Sequence, residues 1–310
     1  MISAGTRRPT NPFVMIFIMV GIVPVVLSSA IAAVPQEGIR TIFVTVVDGK
    51  GLPVAGLTSA DFTVKEDGRV RQIDLAEPAR QPMQIALLID DGGPSLAAIR
   101  QSTGQFVERL QRRAEFSLTT TGGQPQTRVS PTYDPREIYD ALQNTFANSA
   151  PTTQFLDAVL KTAGGFLSRR AVRPVIVAIV SEGADLSSSR ADVVLQAIQQ
   201  SGAVFYYIGL GAPVTSATRP SLDANRAADS TDHESVQRNI VIGTAPKNSG
   251  GRSEQVLQPA GLERLMLEFA SELAGQYALT YRSEANRARL EVTTTRSGLK
   301  LRAPARIGEK

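Results

Sequence analysis

Residues Met83 to Ser95 read MQIALLIDDGGPS, and this stretch decides the architecture. Ile85, Ala86, Leu87, Leu88 and Ile89 form an apolar run with no alternation, the pattern of a strand covered on both faces. The run breaks at Asp90-Asp91-Gly92-Gly93-Pro94, and a helix-compatible segment follows from Ser95 to Arg112. Strand, carboxylate-bearing turn and helix in that order mark an open parallel sheet, where ligands bind at the carboxyl ends of the strands. Asp90 and Asp91 therefore stand where a site is expected.

Downstream, Leu96, Ile99, Phe106, Val107 and Leu110 line one helical face. A second strand is expected over Ala114–Thr119, and a short edge strand over Thr127–Ser130. Asp134-Pro135 opens a helix with proline at its first position, its stripe being Ile138, Leu142 and Phe146. Thr152 and Thr153 precede another helix. Val175–Val180 is a second fully apolar strand, ending in Ser181-Glu182-Gly183-Ala184-Asp185. A helix over Ser187–Gln200 follows, with Val193, Val194, Leu195 and Ile198 inward, then a buried strand over Ala203–Gly209. Residues 212–259 are rich in Ser, Asp, Asn, Arg and Gly; a connection this long is expected as a mobile insertion at the top of the sheet. An amphipathic helix over 258–273 leads to a last sheet strand at Gly275–Tyr281, and 289–294 with 300–305 read as a closing hairpin.

Upstream, Thr41–Val47 is β-branched and aromatic, and Phe62–Glu66 alternates as a half-buried strand does. Asp67-Gly68 is a type I′ hairpin signal, with Val70 to Leu75 pairing back. This is a small antiparallel β-module, in which Asp61 caps a turn and Glu66 is read as a solvent-face residue. The domain reading is a leader over 1–32, the β-module over 38–80, the α/β domain over 83–285 and a hairpin over 286–307.

Composition excludes several chemistries. The chain has no cysteine and no tryptophan, so disulfides, thiol nucleophiles and thiolate metal sites are ruled out. Its single histidine, His233, lies in a polar stretch and reads as a plain loop residue. The net charge of +4 is mild, and the basic residues are not interleaved with aromatics, so no nucleic-acid footprint is indicated. At the N-terminus, Arg7 and Arg8 precede an apolar core over Phe13–Leu27, followed by Ala30-Ile31-Ala32. That is the order of a secretory signal peptide. The alternative is an uncleaved anchor, because Phe13–Val34 is long enough to span a bilayer. Either way the remainder is expected outside the cytoplasm, secreted or periplasmic, and the membrane is met only through the N-terminal segment if uncleaved.

The turn at Asp90 resembles the first metal-binding turn of the von Willebrand factor type A domain, Asp-x-Ser-x-Ser. Aligned from Asp90, the serine positions hold Gly92 and Pro94; aligned from Asp91, they hold Gly93 and Ser95. Thr153 and Asp157 match the family's T-x-L-x-D-A, with Phe155 for the aliphatic residue, and Glu182 stands at the aspartate of T-D-G-x-D. The pattern from Val47 to Gly68, together with the closing E-L-x-x-Q-Y-x-L-x-Y, is similar to bacterial secreted proteins related to von Willebrand factor A, of the kind described from Acidobacteria. The resemblance implies an α/β, Rossmann-like, three-layer fold with a mostly parallel central sheet behind a small antiparallel β-module. It also implies a metal ion-dependent adhesion site, here degenerate, drawn from Asp90, Asp91, Ser95, Thr153 and Glu182. No cofactor is expected, with Mg²⁺ the cation if one binds.

Three functions compete. The first is a non-enzymatic extracytoplasmic module that binds a protein or a cell surface. The second is a Mg²⁺-dependent adhesion domain, and the third a metal-assisted hydrolase using Asp90, Asp91 and Glu182. Against the last, the chain has neither a G-x-S-x-G nucleophile elbow nor a G-x-x-x-x-G-K-[ST] phosphate loop.

Overall fold

The computed structural model describes residues 38–92, 95–147, 152–181, 183–211 and 228–308, besides the isolated Met1 and Gly5, with side chains from 235 onward in the last segment. The expected leader at 1–32, and Gly93, Pro94, Glu182 and 212–227, lie outside these residues. In chain order the elements begin with β1 (Gly38–Val47), β2 (Phe62–Glu66), β3 (Arg69–Arg71) and β4 (Ile73–Pro78). Then come β5 (Met83–Ile89), α1 (Leu96–Leu110), β6 (Ala114–Thr120), β7 (Gln126–Thr132), α2 (Pro135–Gln143), β8 (Thr152–Thr153) and α3 (Phe155–Ser168). They continue with β9 (Pro174–Ser181), β10 (Ala184–Asp185), α4 (Ala191–Ser201), β11 (Val204–Leu210), α5 (Ala228–Ser249), β12 (Arg252–Val256) and α6 (Leu262–Ala274). The last are β13 (Tyr277–Ser283), β14 (Ala288–Thr294), β15 (Lys300–Arg302) and β16 (Arg306–Ile307).

The central sheet has the order β12-β11-β9-β5-β6-β7 and is parallel except for β7. The unalternating run in β5 is explained by its two covers. Met83, Ile85, Leu87 and Ile89 face a core with α1, α2 and α6, whereas Ala86 and Leu88 face a core with α3, α4 and α5. The polar break at Asp90 comes where the strand leaves both covers.

Two four-stranded antiparallel sheets, β15-β1-β13-β4 and β16-β14-β2-β3, enclose a separate core. The Asp67-Gly68 turn holds both residues at positive φ, 47° and 81°, as a type I′ hairpin requires. This β-module takes strands from both ends of the chain. β13, expected in the central sheet, pairs with β1 and β4; β14 and β15, expected as a hairpin, pair with β2 and β1 respectively. An alternating strand reads the same whichever sheet receives it, so pattern alone could not assign these partners.

Three further expectations are corrected. Glu66 is buried: the period of two puts it on the face of Phe62 and Val64, where it accepts hydrogen bonds from Tyr281 Oη (3.0 Å) and Ser283 Oγ (2.7 Å) and pairs with Arg71 (3.1 Å). Phe146 lies beyond α2, and Val193 on the outer face of α4; both are exposed. Residues 228–256, expected as irregular, form α5 and the edge strand β12, and the backbone of His233 is helical. The helix was hidden because it has no apolar stripe and contains Gly243 and Pro246; its packing rests on Val241 and Ala245. Among the described residues, no helix is long and apolar enough to cross a membrane.

Candidate functional site

The carboxyl ends of β5, β6 and β9 and the short pair β8–β10 converge at one crest of the central sheet. Asp90 follows β5 directly and is buried; its Oδ1 accepts from the Gly92 amide (2.8 Å) and its Oδ2 from the Ser181 amide (3.0 Å). Burial pushes the Asp90 carboxyl above its ordinary range, the two amides oppose that, and the neighbouring charge of Asp91 adds to it. Asp91 is also buried, with Oδ1 accepting from the Gly122 amide at 2.9 Å and Arg128 Nη2 standing 3.8 Å from Oδ2. Only glycine fits at 122: a Cβ there would lie 2.5 Å from Asp91 Oδ1.

Thr153 is buried, and its hydroxyl donates to Thr121 O at 2.8 Å. Its strand β8 pairs with β10, bringing Thr153 beside Asp185. Asp157 accepts from the amides of Ser188 (3.0 Å) and Ser189 (2.9 Å), fixing the turn before α4. Ser95 takes the N-cap position of α1 without a side-chain capping bond. Asp185 is 2 % exposed; its Oδ1 accepts from the Ser187 amide (3.1 Å) and hydroxyl (2.6 Å), while Oδ2 has no hydrogen-bond partner among the described residues. Burial raises its carboxyl, against the Ser187 bonds, the positive charge of Arg238 and, least of all, the Leu156 amide.

The structure thus brings Asp90, Asp91 and Thr153 to one crest. The Thr121-Gly122 loop, Arg128 and Arg238, absent from the sequence reading, belong there too. The threonine run and glycine pair after β6 were the available signal, since they sit at a strand's carboxyl end. Arg238 had none, because its helix was unrecognised.

A small hard cation needs about six oxygen ligands in near-octahedral order. Among the described residues, no group of three or more carboxylate or imidazole side chains comes close enough to hold a metal ion. Both oxygens of Asp90 and one of Asp91 are engaged by amides, and Gly92 has no hydroxyl to offer. The described residues therefore do not fit a bound cation.

A six-stranded, mostly parallel sheet sandwiched by helices, with one antiparallel edge strand and a carboxylate turn after a central strand, is the arrangement that the resemblance to the von Willebrand factor type A domain implied. No family model and no curated protein matches the sequence. Among solved structures the chain is similar to proximal thread matrix protein 1 from the mussel byssus, at 12% identity and a TM-score of 0.49, covering 68% of this chain and 50% of that one. It is similar to a von Willebrand factor type A protein from Catenulispora acidiphila, at 12% identity and a TM-score of 0.47, covering 88% and 74%. It is also similar to BatB from Bacteroides thetaiotaomicron, at 14% identity and a TM-score of 0.43, covering 62% and 98%. The chain spans half the length of the mussel protein it matches.

Proposed function

We propose that this chain is a non-enzymatic, extracytoplasmic interaction module that binds a protein or cell-surface partner through the sheet crest, without a metal. The observation that carries the reading is that both oxygens of Asp90 and one of Asp91 are taken by backbone amides, from Gly92, Ser181 and Gly122. Carboxylates held this way have fewer free lone pairs to offer a metal, yet they make a rigid platform. Around them stand exposed apolar side chains: Phe146 after α2, Leu186 after β10 and Leu257 after β12 are 76%, 46% and 71% exposed. Exposed aromatic and aliphatic groups beside a fixed polar centre suit a protein interface. The N-terminal charged-then-apolar segment supports export.

The test is photo-crosslinking on the producing cell, with the reactive residue at 146 or 257 and, as a far-face control, at 70. Crosslinks are expected from 146 and 257 and not from 70, unchanged in excess EDTA. Loss in EDTA with recovery in Mg²⁺ would transfer the chain to the metal-dependent adhesion class. Crosslinks from 70 alone would move the contact face to the β-module.

A further inference from the structure

We infer that Arg238 of α5 supplies the crest with the positive charge that would otherwise have to come from a cation. The inference rests on the metal-free reading of the crest. Three crest carboxylates, Asp90, Asp91 and Asp185, leave water almost completely. Amides stabilise Asp90, and an amide with Arg128 nearby stabilises Asp91, but Asp185 keeps one buried oxygen with no hydrogen-bond partner among the described residues. A buried carboxylate in that state needs a nearby positive charge or must take up a proton.

Arg238 answers that need from outside the sheet. Its Nη1 donates to Gly183 O at 2.9 Å, which pins the guanidinium over the turn leading into Asp185. The positive charge acts on Asp185, and on Tyr207, a buried phenol of β11 that also lies in the fields of Asp185 and Asp90. One guanidinium thus acts on a buried carboxylate and a buried phenol. Gln237, its neighbour on α5, accepts from the Ala191 amide at the start of α4 (2.8 Å), so the helix is anchored beside the guanidinium. A guanidinium is always charged and weakly hydrated, which suits it to replace a metal in a partly dry place.

A double-mutant cycle on the full chain tests this, with urea unfolding of wild type, Arg238→Gln, Asp185→Asn and the double variant, at low and high salt. Arg238→Gln is expected to lower the folding equilibrium constant by roughly tenfold when Asp185 is present and by less than about twofold in the Asp185→Asn background. The coupling should shrink in high salt, and Arg238→Lys should retain most of it. Additive effects, or a coupling indifferent to salt, would overturn the inference and leave the metal-free reading standing. Mn²⁺ and Mg²⁺ are titrated in parallel as the metals alone. A rise in the wild-type melting temperature would overturn the metal-free reading, and with it the need for an internal cation.

Discussion

Replacing Glu272 with glutamine probes how the α/β domain is tied to the β-module. Glu272 sits on α6, 1% exposed, and is met from three sides. Arg252 of β12 donates to Oε1 at 2.9 Å, Arg302 of β15 pairs with Oε2 at 2.5 Å, and Tyr206 Oη of β11 donates to Oε2 at 3.3 Å. Arg252 has other acidic neighbours, Glu254 at 2.5 Å and Glu268 at 3.1 Å. Glu272→Gln therefore strands Arg302 more than Arg252. Removing one partner of a buried pair costs about 3–5 kcal/mol. The Arg302 side chain is 24% exposed, and glutamine keeps one acceptor and the volume, so about 2 kcal/mol is expected. For a body of this size that corresponds to a fall in melting temperature of roughly 4–8 °C. The assay is calorimetry with urea unfolding in parallel, comparing Glu272→Gln, Glu272→Leu and Glu272→Leu/Arg302→Met. The double variant should regain most of the loss of Glu272→Leu, because an apolar pair of similar volume replaces a buried ion pair with little penalty. A change below about 1 °C for Glu272→Gln, or a double variant as damaged as Glu272→Leu, would refute the claim that this pair joins the two layers.

Two further outcomes concern the crest. Burial raises the Asp185 carboxyl in the folded chain, so the folded form binds that proton more tightly than the unfolded form. The group's contribution is most favourable at acid pH and declines as pH rises above the ordinary carboxylate value and through the raised one. Asp185→Asn should accordingly match wild type in acid and exceed it by about 1 kcal/mol near neutrality, and urea midpoints across pH will show this or its absence. Gly122→Ala should cost about 2 kcal/mol by displacing Asp91 from the Gly122 amide; an unchanged urea midpoint would mean the loop yields without strain.

Much of the central sheet was legible because its signals are local. Val175–Val180 and Ile85–Ile89 read as strands covered on both faces, and Asp134-Pro135 as the start of a helix; the structure places β9, β5 and α2 there. α5 was not legible: with Gly243 and Pro246 inside it and no stripe, it is a helix because Val241 and Ala245 find α4 and β11 to pack against. Glu66 shows both levels at once. Its alternation placed it on the buried face, while its acidity argued for solvent, and only Tyr281, Ser283 and Arg71, arriving from elsewhere in the chain, settle the conflict by satisfying its charge.

The candidate site divides in the same way. By itself the sequence determined that two aspartates follow a buried strand and that the two serines of the family turn are not both present, since those are facts of residue type and spacing. Tertiary structure decided what the aspartates do. Each finds a donor from another strand's carboxyl end, Ser181 at the end of β9 for Asp90 and Gly122 just after β6 for Asp91. It also decided where β13 to β16 pair and that Arg238 reaches the Gly183 carbonyl in the turn before Asp185. Such pairings depend on side chains tens of residues apart being delivered to one place, and hydrophobic period carries no information about partners at that distance.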